Sequence, residues 1–172
     1  MKVSITDFEF KPCTLADLDR ILELQDDAVA HLAAPHLLRK NTVEMLAECL
    51  QPPHVTLGAW YDGRLVAFSV LYVPQDAAER LDTSLEGVSV DGVAAANYKL
   101  CIVDSAFRGN GLQYELGVRL IEVARGSGIQ MLCVTASPDN SHSIANIGRM
   151  GFTYNRTLGK YGFIRNLYYK ML

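Results

Sequence analysis

The stretch Leu100–Gln113, which reads LCIVDSAFRGNGLQ, constrains the fold of this chain more than any other part of it. An apolar run typical of a strand leads through a short turn into a segment with apolar residues at helical spacing. Gly109 and Gly111 leave the backbone of that turn bare, and the first N–H groups of a helix have no partners within it. Together with the helix dipole and Arg108, these donors predict a phosphate-binding site. The alternative is an ordinary glycine-containing turn between a strand and a helix.

Length and composition favour one domain over residues 1–172. A hydrophobic share of 49% can fill a core, and a net charge of -3 argues against a nucleic-acid partner. No segment reaches the ~20 apolar residues of a membrane span, and no signal peptide begins the chain, so we expect a cytoplasmic protein. The four cysteines form no C-x-x-C pair and the four histidines have no metal-ligand spacing. We therefore expect reduced thiols and no metal.

Periodicity and turn residues predict the order β-α-α-β-β-loop-β-α-β-α-β-β. The predicted strands cover 3–11, 55–61, 64–73, 93–103, 129–136, 152–158 and 163–171, and the helices lie after Thr14, at 42–50, after Arg108 and at 141–150. Asp62-Gly63 indicates a type I′ hairpin, and Gln75–Gly92 is predicted to be mostly loop. The single β-α-β crossover should make its two strands parallel. The predicted fold class is α/β, with a mixed central β-sheet of about seven strands and helices on both faces.

Two motifs in the second half of the chain belong together. The first runs from Val103 to Gln113, and the second begins at Asn140, opens a helix and closes on Gly151-Phe152. These motifs and the spacing between them resemble the GCN5-related N-acetyltransferase (GNAT) superfamily over about residues 97–152. The RGNGLQ sequence and Lys160-Tyr161-Gly162 are similar to a bacterial-type subgroup of that superfamily.

The resemblance implies the acyl-CoA N-acyltransferase fold and the direct transfer of an acetyl or other acyl group from coenzyme A to an amine in a ternary complex. The acceptor would be a small molecule or a peptide, without nucleic acid, membrane or metal, and homodimers are common among such folds. The pantetheine arm would insert between the splayed fourth and fifth strands, where a backbone N–H polarises the thioester. The residues implied for binding coenzyme A are Ile102, Val103, Arg108, Gly109, Asn110, Gly111, Leu112, Gln113, Asn140 and Ser143.

Two positions depart from the family's pattern. Gln113 stands where the phosphate motif ends in Gly or Ala, and Ile147 stands where the family often has a tyrosine that protonates the departing thiolate. The thiol of coenzyme A has a pKa near that of cysteine, so its thiolate can leave without much help. The alternative function is a non-catalytic acyl-CoA-binding module of the same fold. A nicotinamide or nucleotide site is disfavoured, because the third glycine of the dinucleotide motif and the Gly-Lys-Ser/Thr of a P-loop are missing.

The candidates for proton transfer lie outside the predicted fourth strand, because Ala94–Leu100 contains no carboxylate. Glu86 and Asp91 in the preceding loop are the candidate bases, and the alternative for each is a solvated loop acid. Tyr161 is the preferred acid or water-positioning group, since a phenol suits proton donation to a thiolate. The alternative for Tyr161 is a ring that packs at a strand edge.

Two further polar residues have open interpretations. Arg165 either meets an acidic acceptor or is an exposed strand arginine, which is the commoner situation. Asn146 either faces the acceptor cleft or is a solvated helix residue. The sequence leaves the identity of the acceptor undetermined.

Overall fold

Seven strands form one mixed sheet in the computed structural model, which describes all of residues 1–172. The strands are β1 (Glu9–Pro12), β2 (Val55–Tyr61), β3 (Arg64–Tyr72), β4 (Ala95–Val103), β5 (Met131–Ala136), β6 (Thr153–Lys160) and β7 (Phe163–Met171). Their order across the sheet is β1-β2-β3-β4-β5-β7-β6, and only the β4–β5 pair is parallel. The α/β architecture and the parallel pair predicted from the β-α-β crossover are confirmed.

The fold has four α-helices, and all but α3 begin at or just after a side chain that caps the helix start. They are α1 (Leu18–Ala30), α2 (Val43–Cys49), α3 (Leu112–Gly126) and α4 (Ser141–Arg149). Thr14 and Asp17 form a capping box in a short 3-10 turn that leads into α1, and the Thr42 hydroxyl accepts a hydrogen bond at the start of α2. None of these helices combines the length and the hydropathy needed to cross a lipid bilayer.

The helices cover both faces of the sheet. On one face, α3 and α4 pack through Leu116, Leu120, Ile147 and Met150 against strand residues such as Leu132. On the other face, α1 and α2 pack through Ile21, Leu24 and Leu46 against Phe68 and Val70. Met131, Cys133, Leu81 and Leu167 form a third cluster. Because side chains alternate along β5, this third cluster lies on the side opposite Leu132, away from α3.

β4 and β5 pair over a short distance only. Ala95–Asn97 lie opposite Met131–Cys133, and no pairing follows beyond Asn97. β4 stays paired with β3 as far as Val103, with a bulge at Lys99, and β5 stays paired with β7 as far as Ala136. The remaining backbone groups of β4 and β5 therefore face a gap in the sheet without ladder partners.

The N-terminal strand differs from its sequence prediction. The strand predicted over 3–11 begins only at Glu9, after a 3-10 turn at Ile5–Asp7, and it includes Pro12, which was expected to end it. Proline is tolerated because β1 is an edge strand, where its missing N–H costs no ladder bond. The first residues bind the turn before α3 instead: the Val3 N–H donates to Asn110 Oδ1 at 3.0 Å.

The two hairpins and the long loop are close to prediction. Asp62 and Gly63 have φ values of 50° and 74°, as a type I′ turn requires. Gln75–Gly92 contains only short 3-10 turns, at Ala77–Glu79 and Asp82–Ser84. β6 runs on to Lys160, beyond its predicted end at 158, because Tyr161 and Gly162 close the β6–β7 hairpin as a second two-residue turn.

Candidate active site

A cavity of about 830 Å³ occupies the gap between β4 and β5. Leu112 and Val134 line it from the α3–α4 face, and Leu100 and Ile102 line it from the α1–α2 face. The cavity therefore reaches both faces of the sheet. Its charged lining consists of the cationic side chains Arg39, Lys99, Arg108, Arg149 and Arg165, and no aspartate or glutamate lines it. This charge distribution suits anionic groups.

The glycine turn lies at the cavity wall. Gly109 and Gly111 have φ values of 78° and 77°, in the left-handed region that side-chain-bearing residues rarely adopt. No atom lies within 4 Å of the position that a Cβ would take at either residue. The glycines are thus required for backbone conformation rather than for space. α3 begins at Leu112, so its unpaired first N–H groups stand beside Arg108 at the cavity.

Helix α1 holds the turn from the opposite face of the sheet. Arg20 Nη2 donates to Asp104 Oδ2 at 2.8 Å. Asp27 accepts hydrogen bonds from the Ser105 N–H at 2.9 Å and the Ser105 hydroxyl at 3.0 Å. Burial acts to raise the pKa of the Asp27 carboxyl, but the hydrogen bonds from Ser105 lower it below its ordinary value. These contacts position the turn independently of α3.

Most of the residues predicted to bind coenzyme A line this one cavity. They are Ile102, Val103, Arg108, Gly109, Gly111, Leu112, Gln113, Asn140 and Ser143. Asn110 does not line the cavity, because its side chain binds the N-terminal segment and the turn: Nδ2 donates to the carbonyls of Met1 and Phe107. The contribution expected of Asn110 to phosphate binding is thereby limited to its backbone.

A polar network joins α3 and α4 at the cavity wall. Gln113 Nε2 donates to Ser143 Oγ at 3.4 Å, and Asn146 Nδ2 donates to Gln113 Oε1 at 3.3 Å. Asn140 caps α4 by accepting the Ser143 N–H at 3.1 Å, which leaves its Nδ2 free to donate to a ligand. Asn146 is buried and lines the cavity, in agreement with the interpretation that it faces the cleft. Gln113, the departure from the family motif, thus links the two helices.

Tyr161 lines the cavity from the tip of the β6–β7 hairpin. Its φ of 57° and that of Gly162, 77°, form the tight turn. The Arg39 guanidinium carbon lies 3.9 Å from the Tyr161 ring centroid, and Lys160 Nζ donates to the Ala78 carbonyl at 3.0 Å. The hairpin is thereby fastened to two loops. Burial and the nearby Glu79 raise the pKa of the Tyr161 phenol.

The two loop carboxylates named as candidate bases lie elsewhere. Glu86 forms an ion pair with Arg156 at 3.0 Å, and 68% of its side chain is exposed. Its backbone N–H donates to Asn155 Oδ1 at 2.9 Å, which fixes this part of the loop against β6. Asp91 is exposed. Neither residue lines the cavity.

Three cations at the cavity were not assigned as site residues from sequence. Lys99, at the β4 bulge, has a side chain only 6% exposed, 3.5 Å from Glu79 Oε2, and burial lowers its pKa. Arg39 Nη2 lies 3.6 Å from Glu79 Oε1. Arg165 is 4% exposed, so the interpretation of an exposed strand arginine is wrong. A lysine inside an apolar strand was the one signal present in the sequence, whereas nothing local to Arg39 indicates where its loop folds.

Cys101 also lines the cavity. Burial raises the pKa of its thiol to about 12. Because the thiolate is the nucleophilic form, Cys101 is a poor acceptor for an acyl group. The four cysteines are free thiols.

Comparisons with known proteins agree with this geometry. The model of the acetyltransferase (GNAT) family matches residues 18–152. No curated protein sequence matches the chain.

Solved structures share the fold over nearly the whole chain. The yncA protein of Salmonella typhimurium, solved with acetyl-CoA, has a TM-score of 0.73 at 20% identity, covering 96% of this chain and 94% of its own. NAA60 of Arabidopsis thaliana, in complex with a bisubstrate analogue, has a TM-score of 0.75 at 17% identity, with coverage of 96% and 99%. A ribosomal-protein-alanine N-acetyltransferase of Brucella melitensis has a TM-score of 0.72 at 23% identity, with coverage of 95% and 99%.

Identities this low show a common fold and leave the acceptor open. The family assignment rests on the model match, which covers most of the chain, from α1 to the end of the second motif. The seven-stranded sheet, open between β4 and β5 beside a glycine turn, is the structural counterpart of that match. The chain belongs to the GNAT family of acetyltransferases.

Proposed function

We propose that this protein is an N-acyltransferase that moves an acetyl group from coenzyme A to an amine, by direct transfer within a ternary complex. The observation that carries the proposal is the cavity in the β4–β5 gap, with the glycine turn and Arg108 at its wall. An extended pantetheine arm can use the unpaired backbone groups of both strands, as an added strand does. The N–H groups at the start of α3 and Arg108 would bind the pyrophosphate.

Side chains beside the gap would orient the donor. The free Nδ2 of Asn140 and the Ser143 hydroxyl stand at the start of α4, where they can bind the amide groups of the arm. Ile102 and Val103 would offer backbone groups from β4, and an N–H near Val103 would stabilise the negative charge that develops on the thioester oxygen. The role of these residues is alignment, which lowers the entropy cost of bringing two reactants together.

The proposed reaction transfers the acyl group in one encounter. The amine nitrogen forms the new bond to the acyl carbon and the carbon–sulfur bond breaks; the nitrogen releases one proton to solvent, and the sulfur takes one up to leave as the thiol. No carboxylate lines the cavity to accept the amine proton. The cations Arg39, Lys99 and Arg165 disfavour a bound ammonium ion and so favour the neutral, nucleophilic amine. The protonated state of Cys101 supports direct transfer over an acyl-cysteine route.

Acetyl-CoA turnover tests the proposal directly. The purified protein is incubated with acetyl-CoA and a panel of primary amines, and thiol release is measured together with the mass of the acylated product. We expect acetyl-CoA to raise the melting temperature and at least one amine to be acetylated. Failure of acetyl-CoA to protect the protein at millimolar concentration would contradict the proposal. The free cysteines agree with the cytoplasmic location that we propose for this reaction.

A non-catalytic acyl-CoA-binding module is the second candidate. It is favoured by the cavity wall itself, which has Ile147 where the family often has a tyrosine and has no carboxylate. Protection by acetyl-CoA without turnover of any amine on the panel would establish this alternative, and turnover of a single amine would exclude it.

Tyr161→Phe is expected to lower kcat about tenfold while leaving the KM for acetyl-CoA unchanged, because general-acid help to a good leaving group is modest. Burial and Glu79 raise the pKa of the Tyr161 phenol, so the phenol stays protonated beyond the range in which an ordinary tyrosine titrates, and the wild-type rate should fall only above that range. Tyr161→Phe should remove this falling limb. A pH–rate profile of both proteins checks the result. An unchanged falling limb in Tyr161→Phe would show that another group donates the proton.

A further inference from the structure

Arg165 is a buried cation without a counter-ion. The residue is 4% exposed, and its side chain makes one hydrogen bond, from Nη1 to the Ile164 carbonyl at 3.2 Å. It forms no ion pair, and its guanidinium stacks on the Phe163 ring with 4.9 Å between the Cζ and the ring centroid. A guanidinium has five N–H donors and stays charged at all ordinary pH values. The remaining Arg165 donors have no partner in the protein and are available to an anionic ligand in the cavity.

The donors of Arg165 open on the cavity. Arg165 lines the cavity. On β7 it stands next to Asn166, which pairs with Ala136, the last residue of β5. It thus stands at the level where β4 and β5 are furthest apart. By strand alternation it shares a side of the sheet with Leu167, opposite α3 and α4. An acceptor on this side would approach the thioester from the face opposite the phosphate-binding turn and α4.

Two more cations stand at the same end of the cavity. Arg39 and Lys99 both contact Glu79, at 3.6 Å and 3.5 Å. One carboxylate is thus shared between two cations, and Arg165 has none. Arg39 Nη1 is buried without any hydrogen-bond partner. We call this end of the cavity, with Arg39, Lys99 and Arg165, the acceptor end. It has unused guanidinium donors on two residues and an excess of positive charge.

Two contacts hold the loops around this end of the cavity together. Arg39 stacks on Tyr161, which joins the segment between α1 and α2 to the β6–β7 hairpin, and Lys160 binds the Ala78 carbonyl of the third loop. An amino acid carries a carboxylate close to its amine, whereas the α-amine of a peptide N-terminus is followed by a neutral amide, so a cationic end of the cavity suits the free amino acid.

We propose that Arg165, assisted by Arg39, binds the carboxylate of a small acceptor amine, so that the substrate class is the amino acids rather than neutral amines or polyamines. This inference rests on the proposed transferase function. A planar guanidinium fork matches a carboxylate through two parallel hydrogen bonds and fixes the position of the attached amine. Polycationic acceptors are excluded by the same surplus of positive charge.

The test compares each acceptor with its own carboxamide. α-, β- and γ-Amino acids and their carboxamides are assayed with saturating acetyl-CoA, and kcat/KM is measured by thiol release. We expect carboxylate acceptors to be preferred by at least about tenfold, the usual strength of a charged hydrogen bond. Arg165→Met should lower kcat/KM for the carboxylate about 10- to 100-fold and change that for the carboxamide less than about threefold. Arg165→Lys should recover part of the loss.

Matched variants separate recognition from folding. Arg64→Met replaces an exposed arginine at the start of β3 that does not line the cavity, and it should leave kcat/KM for both acceptors unchanged. If Arg165→Met lowers the melting temperature, Arg39→Met tests the same anion site through a residue in the segment between α1 and α2. Equal losses for carboxylate and carboxamide would assign Arg165 a structural role and overturn the proposal. A raised KM for acetyl-CoA in Arg165→Met would overturn it too, by assigning the cation to the donor.

A binding measurement distinguishes this proposal from the transferase function. The melting temperature is recorded with coenzyme A plus N-acetylated amino acids or N-acetylated carboxamides. Acetylation of neutral amines without a carboxylate preference refutes the anion site and leaves the transferase standing. If no amine is acetylated but carboxylate-bearing compounds stabilise the wild type and not Arg165→Met, the transferase function is refuted and the anion site is supported. Absence of both turnover and stabilisation refutes both.

Discussion

Gly111→Val is expected to abolish stabilisation by acetyl-CoA. Gly111 has a φ of 77° at the start of α3, and a β-branched residue there costs roughly 1–2 kcal/mol or forces the turn out of the left-handed region. Either response moves the N–H groups that would bind pyrophosphate. A ligand at one hundred times its Kd stabilises by about 2.7 kcal/mol, which for a chain of this size raises Tm by roughly 5–10 °C. Thermal unfolding with and without acetyl-CoA should show this shift in the wild type and none in the variant.

The chain offers a matched control for backbone strain. Gly63 has a φ of 74° in the β2–β3 turn and, like Gly111, has open space around its missing Cβ. Gly63→Val should therefore lower the melting temperature by a similar amount and keep the full acetyl-CoA shift. Retention of that shift in Gly111→Val would mean that the turn does not bind the donor.

Gly117→Val is expected to lower the free energy of unfolding by roughly 1–3 kcal/mol, although valine is a better helix former than glycine. A Cβ at Gly117 would overlap Met150 Sδ and would stand 3.4 Å from the Tyr98 hydroxyl oxygen. Helices α3 and α4 meet at this point, and Met150 and Tyr98 are both buried in the same core cluster. The overlap outweighs the gain in helix propensity, which is at most about 1 kcal/mol. Denaturant unfolding measures the change.

Two further variants test the cause. Gly126, at the end of the same helix, has no atom near its missing Cβ, so Gly126→Val should change stability by less than about 1 kcal/mol. The double variant Gly117→Val/Met150→Ala should lose less stability than the sum of the two single variants, because removing the Met150 side chain frees the space that the valine needs. Additive losses in the double variant would show that the two side chains do not compete for space.

Several parts of the fold were predictable because their causes are local. The left-handed turns at Asp62-Gly63 and Gly109–Gly111 need residues that tolerate positive φ. Few residue types do so, chiefly glycine, asparagine and aspartate, and their presence therefore marks the turns in the sequence. The capping groups Thr14, Thr42 and Asn140 mark helix starts for the same reason, since their hydrogen bonds reach only two or three residues ahead. The type of each secondary-structure element could therefore be predicted from the sequence. The N-terminal strand was predicted at the wrong residues, because the hydrogen-bond partners of residues 1–3 lie more than a hundred residues away in the chain.

The donor and acceptor sides of the candidate site differ in how far sequence could locate them. The donor side consists of two motifs, each continuous in the chain, so nearly all of its predicted residues line the cavity. The acceptor side is assembled from three separate segments: the loop with Arg39, strand β4 with Lys99, and the β6–β7 hairpin with Tyr161 and Arg165. Of these residues, the sequence indicates only Tyr161 as a candidate for proton transfer, and it allows two interpretations of Arg165.

The sequence by itself determined the chain's class: an α/β fold, a glycine turn that opens a helix, and the two motifs that resemble the GNAT family. Those properties depend on backbone conformation and short-range hydrogen bonds, which a few neighbouring residues specify. Only the tertiary structure decided which charges meet. It separates Glu86 from the cavity through an ion pair with Arg156, and it buries Arg165 without a carboxylate. The physical reason is that burial and electrostatic pairing depend on contacts between distant segments, so no local pattern can distinguish a solvated arginine from one that awaits an anion.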